Sequence, residues 1–255
     1  MINDLQLEIK PEQINLKSFD QKEQLNPKFF PNGYKLNPKV RLRLLDIADD
    51  FVEYLNIPFA KPLDIVLVGS IVSYQWSRYS DIDLHIIYNF YDISDKTDFV
   101  REYVDAKKNL WNEERKIKIY GFDVELYVED ENHPSTSNGR YSIERNDWVH
   151  EPSREPSFQY EKSYIKEKSA KLMDLIDRYE ENFECNKDDE VYLMELTNKV
   201  NKLWSKIKAI RKDSIEKYGE MSTGNIIFKV LRRSKYLQKL YELKTKLYTF
   251  NKSIR

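Results

Sequence analysis

Asp64-Ile65-Val66-Leu67-Val68-Gly69-Ser70 and Ser80-Asp81-Ile82-Asp83-Leu84-His85-Ile86-Ile87 are the two stretches on which the reading of this chain turns. The first is a β-branched run too short for a helix and closed by Gly-Ser, the pattern of a buried strand ending in a turn. The second alternates, so Ile82, Leu84 and Ile86 take one side of a strand while Asp81, Asp83 and His85 take the other. Two carboxylates held side by side repel unless a cation lies between them, and hard oxygen ligands suit Mg²⁺ or Mn²⁺. With 1 Cys and 3 scattered His there is no intramolecular disulfide and no Cys/His zinc spacing, so any metal has to be held by oxygen.

A third acid is expected on a neighbouring strand. Phe122-Asp123-Val124-Glu125-Leu126 offers Asp123 and Glu125 on one face. Glu125 is favoured, because Val124 and Leu126 flank it in apolar sequence whereas Asp123 adjoins the turn residue Gly121.

Around this nucleus the periods change along the chain. Met1 to Asn37 mixes polar residues with Pro11, Pro27, Pro31 and Gly33 and reads as an irregular lead-in. From Pro38, Leu44, Ile47, Ala48, Phe51, Val52 and Leu55 recur at helical spacing until Pro58 and Pro62 forbid continuation. Ile71 to Tyr74 begins a short helix, Asp98 to Trp111 reads as a longer one, and strands containing Ile117–Ile119 and Phe122–Val128 turn around Gly121. Glu129 to Ser157, rich in Pro, Ser, Asn and Gly, reads as a long loop or linker, with Tyr141 and Trp148 sealing two domains together. Three helical periods follow, over Tyr160–Phe183, Asp188–Tyr218 and Thr223 to about Phe250, the last capped by Ser222 or Thr223. The expectation is therefore α+β: a lead-in over 1–37, a mixed sheet with flanking helices over 38–150, and a C-terminal helical bundle over 151–255.

Composition agrees with a folded chain. At 255 residues there is material for one large domain or two modest ones. The 13% of aromatic residues supply core surface that argues against wholesale disorder. Met1 to Lys10 lacks the basic-then-apolar pattern of a secretory signal, and no apolar run approaches the ~20 residues of a membrane span, so a cytosolic protein is expected. The net charge of −1 hides a polarity: Lys199 to Arg255 holds 16 Lys and Arg against 4 Asp and Glu, a local +12 that leaves −13 for the rest. The basic part either faces an anion such as triphosphate or nucleic acid, or is a set of helices with solvated Lys faces.

Gly69-Ser70, Ser80-Asp81-Ile82-Asp83 and the later Val124-Glu125-Leu126-Tyr127-Val128 resemble the nucleotidyltransferase superfamily, which includes DNA polymerase beta, CCA-adding enzymes, aminoglycoside nucleotidyltransferases and cyclic-nucleotide synthases. The wording from Gly69 to His85 looks most similar to poorly characterised bacterial and phage members. The likeness covers about Leu44 to Val128, and the later helices only by general arrangement. It implies two-metal transfer of a nucleoside monophosphate from an NTP, such as ATP, to a hydroxyl, with pyrophosphate released. Asp81 and Asp83 would bridge metals and triphosphate, Glu125 would hold the metal at the acceptor hydroxyl, and Gly69 with Ser70 would cradle the phosphates, Ser80 beside them. Lys229 and Arg232, in the last helical stretch, would bring cations to the triphosphate, or else belong to a solvated basic face.

Around these, His85 either touches substrate or is an ordinary strand histidine bonded to its neighbours. Tyr74 and Trp76 either stack on a base or pack under their loop, and Arg78 either steers phosphate or is simply exposed. The basic C-terminal part favours an RNA or tRNA end as acceptor. A small molecule, a nucleotide or a protein hydroxyl are the alternatives, as in a toxin or defence enzyme, and a non-catalytic nucleotide or nucleic-acid binding module is a further one. No motif reads a base edge, and none sets the oligomeric state.

Overall fold

β1, Asp64–Val68, is buried at four of its five positions because it lies at the middle of a sheet. In the computed structural model, which describes residues 9–154 and 161–253, it pairs antiparallel with β2, Ile82–Tyr88, on one side and with β5, Arg140–Ser142, on the other. β2 pairs in parallel with β4, Phe122–Asp130, whose far edge carries the short β3, Lys118–Ile119. β6, Asp147–His150, pairs with β5, giving the order β3-β4-β2-β1-β5-β6. The chain is α+β, with a six-stranded mixed sheet followed by helices.

The sheet belongs to a compact unit spanning Asp20–Pro156. One sheet face is covered by α1, Pro38–Leu55, and α2, Thr97–Glu114, whose Leu44, Phe51, Val104 and Trp111 pack with Leu67, Ile82, Leu84, Ile86 and Leu126. Pro38 starts α1 behind Asn37, whose side chain accepts from the Lys39 amide, and Asn56 ends it in the left-handed conformation. Tyr120 and Gly121, both at positive φ, form the two-residue turn between Ile119 and Phe122. Beyond β3 the edge of β4 is open, and Asn112 of α2 answers it by bonding both the N–H and the C=O of Leu126.

Two expectations for this unit are corrected. The expected loop over 129–157 is in part sheet: β4 runs on to Asp130, and β5 and β6 extend the sheet, while 155–157 lie outside the described residues. Strands of three and four residues are too short to display an alternating period, so only their pairing reveals them. Tyr141 and Trp148, expected between two domains, pack with the core of the sheet unit. Tyr141 is fully buried in the sheet core, edge-on to Trp148 and Phe30.

The helices form a second compact unit, together with the described part of Met1–Phe19. The expected lead-in is thus divided: Ile14, Leu16 and Phe19 are buried in the helical core, whereas Phe29, Phe30 and Leu36 are buried in that of the sheet. α3, Lys162–Cys185, and α4, Glu190–Tyr218, occupy the expected helical stretches. The expected third helix is two, α5, Thr223–Arg233, and α6, Tyr236–Lys252, broken at Lys235 with φ 63°. The apolar stripe explains the break. Ile227, Val230 and Leu231 would continue through Ser234 and Gln238 in one straight helix, but the buried positions resume at Leu237, Leu240 and Leu243. Tyr241, which one straight helix would place on that stripe, is exposed. Among the described residues no helix is long and apolar enough to cross a membrane.

Candidate functional site

Alternation along β2 and β4 sends Ile82, Leu84, Ile86, Val124 and Leu126 under α1 and α2, and the opposite sheet face receives Asp83, His85, Glu125, Tyr127 and Glu129, with Ile87 packed there against Val66 and Val68. The parallel register sets Asp83 opposite Glu125 and His85 opposite Tyr127. Asp81 lies just before β2 with the same parity as Asp83, and Val68 is the partner of Asp83 on β1.

Gly69 follows Val68 with φ 77° and ψ −161°, a conformation essentially confined to glycine. A Cβ there would lie 2.1 Å from an Asp83 carboxylate oxygen, so the missing side chain is what lets Asp83 lie across the turn. Ser70–Val72 forms one 3-10 turn, the short helix expected after the Gly-Ser. The Ser70 hydroxyl donates to the Ser80 hydroxyl at 2.7 Å, and Ser80 Oγ also accepts from the Ser77 amide at 2.9 Å. The Gly69 amide donates to Ser137 Oγ at 3.0 Å, which in turn donates to the Gly139 carbonyl. These polar groups stitch the turn to the loop ahead of Asp81.

The two acids of β4 differ in surroundings. Asp123 is half-exposed and paired with Lys118 at 2.6 Å beside the hairpin, whereas Glu125 faces Asp83 and accepts from the Tyr127 hydroxyl at 2.7 Å. Burial above all, then the bond to Glu125 and the charges of Glu125, Asp83 and Asp81, push the Tyr127 phenol above the ordinary tyrosine range. The three carboxylates thus act on one neighbouring group. Among the described residues no three His, Cys, Asp or Glu side chains are gathered into a ready metal cage. In chemistry the set Asp81, Asp83 and Glu125 fits Mg²⁺ or Mn²⁺, being all hard oxygen, and the bare Gly69 leaves room for the Asp83 carboxylate.

Further along the same face, His85 Nδ1 lies 2.6 Å from Glu129 Oε2. Glu129, only 7% exposed, also meets Arg140 Nη2 at 2.8 Å and accepts from the Ser135 amide and hydroxyl. Burial alone would raise the Glu129 carboxyl, but the bonds from His85, Arg140 and Ser135 outweigh it and bring it down to about 2. His85 is therefore bonded to its neighbours, with its ring 4.9 Å from that of Tyr127. Tyr127, Glu129 and Arg140 went unread in the sequence. The alternation that marked Glu125 continues through Tyr127 and Glu129 and would have found two of them; Arg140 arrives only through β5.

The loop aromatics are packed. Trp76 donates to the Gln24 carbonyl, and Tyr74 packs against the sheet core beneath the Arg154 guanidinium. Arg78 is exposed and lies over the Tyr79 ring. In the helical unit Lys229 is paired with Glu220 at 2.6 Å and Arg232 is exposed on α5.

No protein-family model matches the chain. No curated protein matches it in sequence. Among solved structures it is similar to the STING-associated CdnE c-di-GMP synthase from Capnocytophaga granulosa, at 15% identity over 88% of this chain and 90% of that one, with a TM-score of 0.22. A TM-score of that size does not define a shared fold.

Proposed function

We propose that this chain is a metal-dependent nucleotidyltransferase moving a nucleoside monophosphate from an NTP to a hydroxyl. The observation that carries the reading is the register of Asp83 opposite Glu125, with Asp81 two residues earlier and the bare turn of Gly69 against the Asp83 carboxylate. Asp81, Asp83 and Glu125 are the residues that would hold Mg²⁺ or Mn²⁺. A bound divalent cation supplies Lewis-acid stabilisation of charge on the reacting phosphate and acceptor oxygens. The chain's own part is positioning. The Ser70–Ser80–Ser77 hydroxyl and amide links fix the loop that delivers Asp81, and the parallel pair β2–β4 fixes the spacing of Asp83 and Glu125. In the overall reaction the acceptor oxygen bonds to the α-phosphorus, the α–β bridging bond breaks, pyrophosphate leaves and the hydroxyl proton is released.

For the acceptor, the ion pairs of the helical unit count against an RNA or tRNA end. Glu216, Asp213 and Glu220, the partners of Lys212, Lys217 and Lys229, already enter the +12 of Lys199 to Arg255, but Glu161 to Asn198 of the same unit adds a local −5, 6 Lys and Arg against 11 Asp and Glu, and its Asp177 and Glu180 pair with Lys239. The favoured acceptor is then the hydroxyl of a small molecule, a nucleotide or a protein, the chemistry of a toxin or defence enzyme. Of the two cations proposed for triphosphate, Lys229 can serve only by exchanging Glu220 for phosphate, whereas Arg232 is exposed.

The test incubates the protein with Mg²⁺ or Mn²⁺ and each α-labelled NTP, with and without total RNA, beside an Asp81→Asn, Asp83→Asn double variant. Label transferred by the wild type alone establishes the reaction, and the labelled product gives the acceptor class. An RNA acceptor is expected to show affinity falling steeply with salt. No transfer, no pyrophosphate and no metal-dependent NTP binding would overturn the reading.

A further inference from the structure

Tyr127 is held more firmly than a strand tyrosine needs to be. Its ring is in contact with two side chains from different elements, His85 of β2 with ring centroids 4.9 Å apart and Lys108 of α2 with Nζ 4.9 Å from the ring centre. His85 is itself fixed through Nδ1 by Glu129, and Glu129 by Arg140 and Ser135. The end of this chain of restraints is a hydroxyl donating to Glu125 Oε2 at 2.7 Å. An ionised carboxylate offers about four lone-pair sites. The bond therefore orients Glu125 while leaving Oε1 and one lone pair of Oε2 for another partner.

We infer that Tyr127 is a positioning residue for the third carboxylate: it fixes Glu125 in the orientation in which that side chain, opposite Asp83, takes a divalent cation, and the buried Glu129–His85 pair braces its ring. The inference rests on the reading of Asp81, Asp83 and Glu125 as a cation site. It adds residues that touch neither cation nor substrate. Partners that orient a ligating carboxylate alter metal affinity or activity about 10–100-fold when removed.

The experiment is a Mn²⁺ titration of the whole 255-residue chain without nucleotide, followed by electron paramagnetic resonance of the free ion. It compares wild type, Asp83→Asn, Glu125→Gln, Tyr127→Phe and the Tyr127→Phe, Glu125→Gln double variant. Tyr127→Phe keeps the ring that meets His85 and Lys108 and removes only the hydroxyl. The expected result is tight binding by the wild type, loss in Asp83→Asn, and affinity about tenfold or more weaker in Tyr127→Phe. Since Tyr127 acts through Glu125, the double variant is expected to bind no more weakly than Glu125→Gln, a non-additivity that a merely structural role would not produce. Wild-type affinity in Tyr127→Phe alongside loss in Asp83→Asn would overturn the inference and leave the cation site standing, as would strictly additive losses in the double variant. Binding by the wild type no tighter than by Asp83→Asn would overturn the cation site and the inference with it.

Discussion

Asp83 and Glu125 are direct partners across the only parallel strand pair among the described residues, and the carboxylate of Asp83 lies where a side chain on Gly69 would have to be. The acidic pair is therefore set by the parallel register of β2 and β4 and by the backbone of the turn that follows β1.

Gly69→Ala strikes this relationship twice. The new Cβ meets the Asp83 carboxylate, and alanine is strained at φ 77° and ψ −161°. The expected cost is roughly 1–3 kcal/mol of stability, with a weaker Mn²⁺ site. Denaturant unfolding and the Mn²⁺ titration check both, and a variant matching wild type in each would show that the Asp83 carboxylate does not depend on the bare turn.

Glu129 makes stability depend on acid. Its folded-state pKa of about 2 lies below the ordinary 4.5, so its contribution is complete above about pH 4.5 and is lost as the pH falls toward 2. A shift of that size corresponds to about 3 kcal/mol by linkage. Unfolding free energies measured from pH 6 down to pH 2 are expected to fall more steeply for wild type than for Glu129→Gln. Parallel profiles would show that Glu129 is not held by His85, Arg140 and Ser135.

Tyr141→Phe tests the sheet core. The buried hydroxyl accepts from the Leu36 amide at 3.2 Å and donates to Asn146 Oδ1 at 2.9 Å, so its removal strands a buried N–H. A loss of about 1–3 kcal/mol is expected in urea unfolding. An unchanged midpoint would mean that the Leu36 amide finds another acceptor.

Asn225 does the same for the helices. Its side chain is buried, donates to the Glu220 carbonyl at 2.6 Å and carboxylate at 2.9 Å, and accepts from Arg211 Nε at 3.2 Å. Asn225→Ala is expected to lower stability by roughly 1–3 kcal/mol, with amide exchange accelerating first in α4 and α5. Exchange that rises equally in β1 and β2 would show that the loss is not local.

Much of this molecule is legible along the chain, and the residues show why. β2, β4 and α1 follow from periods of two and 3.6 that each segment carries by itself, and β1 from a β-branched run too short for a helix. The same parity puts Asp81 with Asp83, and Glu125 with Tyr127 and Glu129. What misled was length and phase. β5 and β6 are too short to show a period, and the stripe of the last helices slips by one position, which looks continuous until Lys235 is found left-handed.

The sequence by itself determined which residues go inward and which carboxylates share a strand face, because both follow from the local geometry of successive side chains. Only the tertiary structure decided that Glu125 rather than Asp123 faces Asp83, that Glu129 fixes His85 from 44 residues away, and that Tyr141 serves the sheet core. Register, strand order and hydrogen bonds between distant residues are set by the mutual packing of whole elements, and no single segment's pattern contains them.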